Sequence, residues 1–201
     1  MRIIDWLLEG DVIISYLTTN YLLDDPFDHN DQGYIGHYLD LYDSTKKFWG
    51  RHIYSGKWTS STYTLLELKY MEIHKDNPIY QEATKEVLDG LWFNKGKVSY
   101  SRYQDMCMAG MLLSLVSYGK IHDYRINEII DYVLAHQMKD GGWNCAWDST
   151  HRPSTVGSVH TTISVLEALE EYEKNGYRYR LETIQQQPPP RSGISPKTKS
   201  I

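Results

Sequence analysis

Three residues in this chain have the types and positions that could hold a metal ion. Asp105 and Cys107 stand two residues apart at the expected start of one helix, and His160 falls in the first turn of another. A carboxylate, a thiolate and an imidazole form a borderline-soft ligand set that fits zinc, with a fourth position open for water or a substrate atom. An Asp and a Cys at this spacing both reach one ion only if the first helical turn is loose, so the spacing permits the site without demanding it. The alternative gives each residue a structural part: Asp105 as an N-cap, Cys107 as a core residue and His160 as a hydrogen-bonded histidine at a helix start.

The elements that must position these residues are helical. Gln137-Met-Lys-Asp-Gly-Gly-Trp143 closes one helix in a polar, glycine-rich turn, and Ser158 to Leu169 opens another whose expected apolar face is Val159, Ile163, Leu166 and Leu169. In the turn, the Gln137 amide and Asp140 carboxylate are expected to satisfy backbone groups, and the Trp143 indole to fill the gap between helices. Cys145, just beyond, is expected to pack the turn, with substitute metal ligand as the alternative.

Upstream, residues 1–23 carry two short amphipathic stretches separated by Gly10-Asp11. Helical spacing then predicts helices from Tyr34 to Trp49, about Ser60 to Met71, Pro78 to Trp92, Asp105 to Tyr118 and Arg125 to Gln137, with a polar loop over 94–103. The leucines Leu68, Leu115 and Leu169 close three of the apolar helices at intervals of 47 and 54 residues. A period of about fifty residues, two helices to the period, marks a repeat architecture in which each hairpin leaves an apolar face for its neighbour. The expected organisation is an N-terminal helical segment and loop over 1–33, helical repeats over 34–182, and a disordered Gln-, Pro-, Ser- and Lys-rich tail over 183–201.

Composition narrows the function. The net charge of -5 gives no long-range attraction for phosphate backbones, which argues against a nucleic-acid partner. No apolar run is long enough to span a bilayer and the N-terminus lacks the zones of a signal peptide, so a cytoplasmic protein without a membrane span is expected. Two cysteines in a chain of 201 residues do not make a disulfide framework and are expected to be thiols. The 17 Tyr and 6 Trp against 3 Phe suit an apolar cavity that is not dry, and they suit helix packing equally.

The Gln-x-x-Asp-Gly-x-Trp pattern at Gln137 to Trp143, with the hairpin around it, resembles the repeat of the terpenoid cyclase and protein prenyltransferase superfamily. The resemblance covers most of residues 54–175 and implies an all-α fold, an α/α toroid. The helices expected here are too few for a closed six-hairpin ring, so the ring is read as partial or truncated. Within that superfamily, Asp105-x-Cys107 and His160-Thr161 are similar to the zinc ligands of protein prenyltransferase β subunits. That similarity implies zinc held by Asp105, Cys107 and His160, activating an acceptor thiol toward an isoprenoid diphosphate. It also implies a partner subunit.

Further expectations and departures follow from the same resemblance. Arg102 would contact phosphate, and Tyr103, Trp58 and Tyr63 would line the substrate cavity; but where the family has a second phosphate-binding cation this chain has Ser99, and the family's Tyr after the zinc Cys is Met108. Lys57, Lys95 and Lys97 are read as solvated surface. The cyclase branch protonates an alkene with Asp-x-Asp-Asp, and the corresponding positions are Gly157, Ser158, Val159 and His160, so a terpene cyclase is the weaker reading. The thioester domains that share the toroid need a Gly-Cys-x-Glu-Gln that is missing. Asp24 to Asp28 match by letters the Asp-Asp-x-x-Asp of class I prenyl synthases, but Pro26 and the polar run after it predict a solvated loop. The alternative to a transferase is a catalytically silent toroid acting as a binding or scaffold module.

Overall fold

The structure, a computed structural model, describes residues 2–99, 102–148 and 153–186. The described residues are mostly helical. They divide into two compact units: Met1–Leu91 with Tyr118–Ile121, and Trp92–Ser117 with His122–Ile201. The segment expected as 1–33 therefore shares a unit with the first repeats, and the expected 34–182 repeats are divided between the two. No helix among the described residues is long and apolar enough to cross a membrane.

The first unit holds α1 (Ile3–Leu8), α2 (Val12–Thr18), α3 (Tyr34–Asp40), α4 (Ser61–Tyr70) and α5 (Pro78–Leu91). Gly10-Asp11 separates α1 from α2 because the Asp11 carboxylate caps α2, accepting the Ile13 N–H at 2.9 Å. Asn77 does the same for α5, its side-chain oxygen accepting the Ile79 and Tyr80 N–H groups ahead of a first-turn Pro78. One expected helix is cut short: Tyr34 to Trp49 is helical only to Asp40. The Asp43 carboxylate accepts the N–H groups of Thr45 and Lys46 at 3.0 and 3.1 Å, and this local turn outcompetes the helix. The core of the unit includes Ile13, Ile35, Leu65, Leu68, Val87 and Leu88.

The second unit is built on α6 (Met106–Tyr118), α7 (Arg125–Ala135) and α8 (Val159–Lys174), with a short α9 (Leu181–Gln185). Ahead of α6, the loop expected over 94–103 contains a small antiparallel hairpin, β1 (Lys97–Ser99) and β2 (Arg102–Tyr103), with Lys97 opposite Tyr103. The described residues remain mostly helical, as the all-α expectation has it. The tail expected from 183 begins inside α9, and residues 187–201 lie outside the described residues.

Helix α6 is apolar and buried on nearly all sides. Gly110 permits a close approach: a Cβ there would meet the Ser164 carbonyl oxygen of α8 at 3.0 Å. This contact fixes the phase of α8 and reverses part of an expectation. Val159, Ile163 and Leu166 are 65%, 59% and 41% exposed, and the packed face is instead Thr161, Thr162, Val165, Ala168, Leu169 and Tyr172. Of the expected apolar face only Leu169 is buried.

The turn between α7 and α8 is bonded as its residue types require. The Gln137 amide donates to the Gly141 carbonyl at 2.9 Å; the Asp140 carboxylate accepts the N–H groups of Gly142 at 3.1 Å and Gly157 at 2.7 Å. These two amide bonds hold the Asp140 carboxyl below its ordinary range. The Trp143 indole is 1% exposed and donates to the Val133 carbonyl at 2.8 Å, while the Trp143 amide donates to Thr162 Oγ1 at 3.0 Å. A Cβ on Gly157 would lie 2.8 Å from the Gly142 Cα, so the return strand of the turn passes where only glycine fits.

Candidate functional site

The turn delivers Cys145 to the first turn of α6. Its sulfur accepts the backbone N–H of Cys107 at 3.2 Å and lies 3.5 Å from Thr161 Oγ1 in the first turn of α8. Both cysteines are free thiols and half-buried. The site is therefore a thiol pair spanning the starts of two helices and the connection between them.

Its electrostatics follow from this arrangement. The Cys107 side chain is the main cause pulling the Cys145 thiol below its ordinary range, helped by Thr161 and the Cys107 N–H. The Cys107 thiol is pushed up, first by the Cys145 side chain and then by burial. Interaction between two thiols leaves the first easier to ionise and the second harder. The amide end of α6 adds its partial positive charge, and Asp105 opposes ionisation at both sulfurs.

The expected ligands occupy the neighbourhood without converging. Asp105 is half-buried and lies 3.7 Å from the Arg102 guanidinium. His160 is exposed, because the α8 phase that buries Thr161 beside Cys145 turns the preceding residue outward. Asp105, Cys107 and His160 do not bring ligand atoms within 4.8 Å of one another; among the described residues the group that does is Asp28, His29 and His74. Cys145, expected to pack the turn, is the residue that meets Cys107.

Beside the thiol pair, in the same unit, lies a cavity of about 480 Å³ lined by Lys95, Tyr103, Glu128, Asp131, Tyr132, Ala135, His136 and Trp147. It is an aromatic cluster: His136 and Trp147 have ring centroids 3.8 Å apart, and Tyr103 lies 5.4 Å from Trp147. Tyr132 is fixed by donating its hydroxyl to the Gln104 carbonyl at 2.6 Å, and burial pushes its pKa up. Tyr103, expected in a substrate cavity, is among the residues lining this one. Trp58 and Tyr63 do not line this one; they belong to the first unit, where they pack edge to face at 4.9 Å. Arg102 sits exposed on β2.

The first unit carries its own cluster, on the loop read as solvated. Asp28, His29 and His74 form a group that could hold a metal ion. His29 is 3% exposed; its Nε2 lies 3.1 Å from the Glu72 carbonyl oxygen and its Nδ1 accepts the Asp31 N–H at 3.0 Å. His74 bridges two carboxylates, with Nδ1 2.9 Å from Asp31 and Nε2 3.1 Å from Asp28. The Asn30 N–H, more than the histidines, holds the Asp28 carboxyl below its ordinary range.

Comparison with models of known protein families and with characterised proteins gave no match to this chain.

Proposed function

We propose that this chain is a prenyltransferase-like protein, a partial α/α toroid of helical hairpins that holds zinc where α6 and α8 begin and receives an isoprenoid diphosphate or another apolar ligand at the aromatic cavity. The observation that carries this reading is the seating of the Cys145 sulfur on the Cys107 amide and beside Thr161. Two half-buried sulfurs are donors that suit zinc, and one of them is already favoured as thiolate. Cys107 and Cys145 would supply these donors. Bound there, zinc would hold and activate a thiolate or polarise an oxygen. Supporting the toroid, α8 leaves Val159, Ile163 and Leu166 outward, the open apolar face that a repeat presents to a neighbour.

A second reading, a zinc-holding module without transferase chemistry, is favoured by the charges of the cavity. Glu128 and Asp131 outnumber Lys95 along its lining, which opposes a diphosphate. Metal analysis of the purified protein and of Cys107→Ala, Cys145→Ala and His160→Ala tests the centre. Stoichiometric zinc lost in the cysteine variants supports it, and zinc-free wild-type protein removes it. Titration of the zinc-loaded protein with farnesyl diphosphate then separates the readings: saturable binding supports the transferase, and its absence supports the silent module.

A further inference from the structure

We infer that Cys107 and Cys145 form a redox pair that a hydroperoxide converts into an intrachain disulfide. This goes beyond the zinc reading and rests on the placement of the sulfurs alone. The Cys145 sulfur accepts the Cys107 N–H at 3.2 Å and lies 3.5 Å from the Thr161 hydroxyl. The donors belong to the first turns of α6 and α8, where helix ends favour negative charge. A sulfur so surrounded is the nucleophile of the pair, and the thiol of the residue whose amide it accepts is placed to resolve it. Both are half-buried, which leaves room for a small peroxide to reach them and shields them from larger reagents.

The steps balance. The Cys145 sulfur attacks one oxygen of the hydroperoxide, the O–O bond breaks, and the departing oxygen leaves as water or alcohol, with Cys145 oxidised to the sulfenic acid. The Cys107 sulfur then attacks the Cys145 sulfur, the S–O bond breaks, and the hydroxyl departs as water with the Cys107 proton. Two thiols lose two electrons and one hydroperoxide is reduced. The two sulfurs must still close to a bond of about 2.05 Å. Cys145 opens a single 3-10 turn on the connection to α8, so this approach does not require either long helix to move.

The test uses the full chain, treated with a chelator, checked for metal content and exposed to stoichiometric hydrogen peroxide. Free thiols should fall from two per chain to none, the intact mass should drop by two hydrogens, and a non-reduced digest should contain one peptide pair joining 107 to 145. Dithiothreitol should restore both thiols. In Cys107→Ser the oxidation should stop at a sulfenic acid on Cys145 that dimedone traps. Thiols that survive the peroxide, oxygen added to each cysteine without a cross-link, or cross-links only between chains would overturn the inference. A chain that never carries zinc yet forms the bond removes the zinc reading and keeps this one; stoichiometric zinc with no bond after its removal does the reverse.

Discussion

The histidine cluster of the first unit and the thiol pair of the second are built from metal-ligating side chains, and they differ in what those side chains are already doing. In the first unit both His29 nitrogens are engaged by backbone groups and both His74 nitrogens face carboxylates. In the second unit the Cys145 sulfur engages one amide and one hydroxyl, and each sulfur keeps acceptor capacity. Proximity of ligand atoms alone thus does not distinguish a binding site from a polar clamp. The spare lone pairs do. By that measure the histidine cluster ties the Asp28–Asp31 loop to the residues after α4, and the thiol pair keeps the lone pairs that a ligand would need.

The largest expected effect breaks the comparison most directly. His29→Ala leaves the Glu72 carbonyl and the Asp31 N–H without a partner in a site where the ring is 3% exposed. It should destabilise the protein by about 2–4 kcal/mol. Urea unfolding with and without a chelator is the check. A loss that disappears when metal is removed would make the cluster a metal site and erase the contrast.

Cys145→Ala should do the opposite: it should lower zinc affinity by at least about tenfold, roughly 1.4 kcal/mol, while moving the metal-free unfolding midpoint by a smaller amount. Isothermal titration beside urea unfolding separates the two. A large stability loss with unchanged affinity would show that Cys145 only packs the turn.

Protons sharpen the contrast because the two clusters respond at opposite ends of the scale. The Asp28 carboxyl lies below its ordinary value of 3.8, so the stability it contributes is present above that value and is lost as pH falls through the lowered pKa. Acid unfolding linked to this carboxyl should therefore set in only below 3.8, and Asp28→Asn should flatten that limb. In the metal-free second unit, alkylation of Cys145 should have its midpoint below the ordinary thiol value of 9.0, and Cys107 should react only at higher pH. Equal midpoints, read by mass spectrometry of quenched samples, would mean that the thiols do not interact.

Local features were legible in the sequence where one residue type had one physical task. Gln137, Asp140 and Trp143 bond and pack as their types predict, and the caps at Asp11 and Asn77 stand where the polar letters precede apolar periodicity. The phase of α8 was not legible, because its sequence offers two stripes: Val159, Ile163 and Leu166, or Val165, Ala168 and Leu169. The choice depends on Gly110, fifty residues upstream and on another helix. That same choice displaced His160 and brought Thr161 to the thiols. Cys145 itself carried a weak signal, a thiol two residues past Trp143 on the chain returning to α8. His29 and His74 are 45 positions apart and meet only because the loop after α2 folds back, which no local spacing announces.

Arg102 gives the smallest effect on stability and the clearest separation of packing from binding. Its guanidinium is exposed and lies 3.7 Å from Asp105, a pair that solvent screens, so Arg102→Ala should change stability by no more than about 0.5 kcal/mol. The same substitution removes a cation from the segment that leads into α6. If the proposed diphosphate ligand is bound, its affinity for zinc-loaded protein should fall severalfold and the salt dependence of binding should weaken. Freed from Arg102, Asp105 also opposes ionisation of the two sulfurs without a counterion, so the Cys145 alkylation midpoint should rise. A variant that binds farnesyl diphosphate as wild type does, but shows the shifted thiol midpoint, would keep Arg102 as a partner of Asp105 and remove it as a phosphate contact.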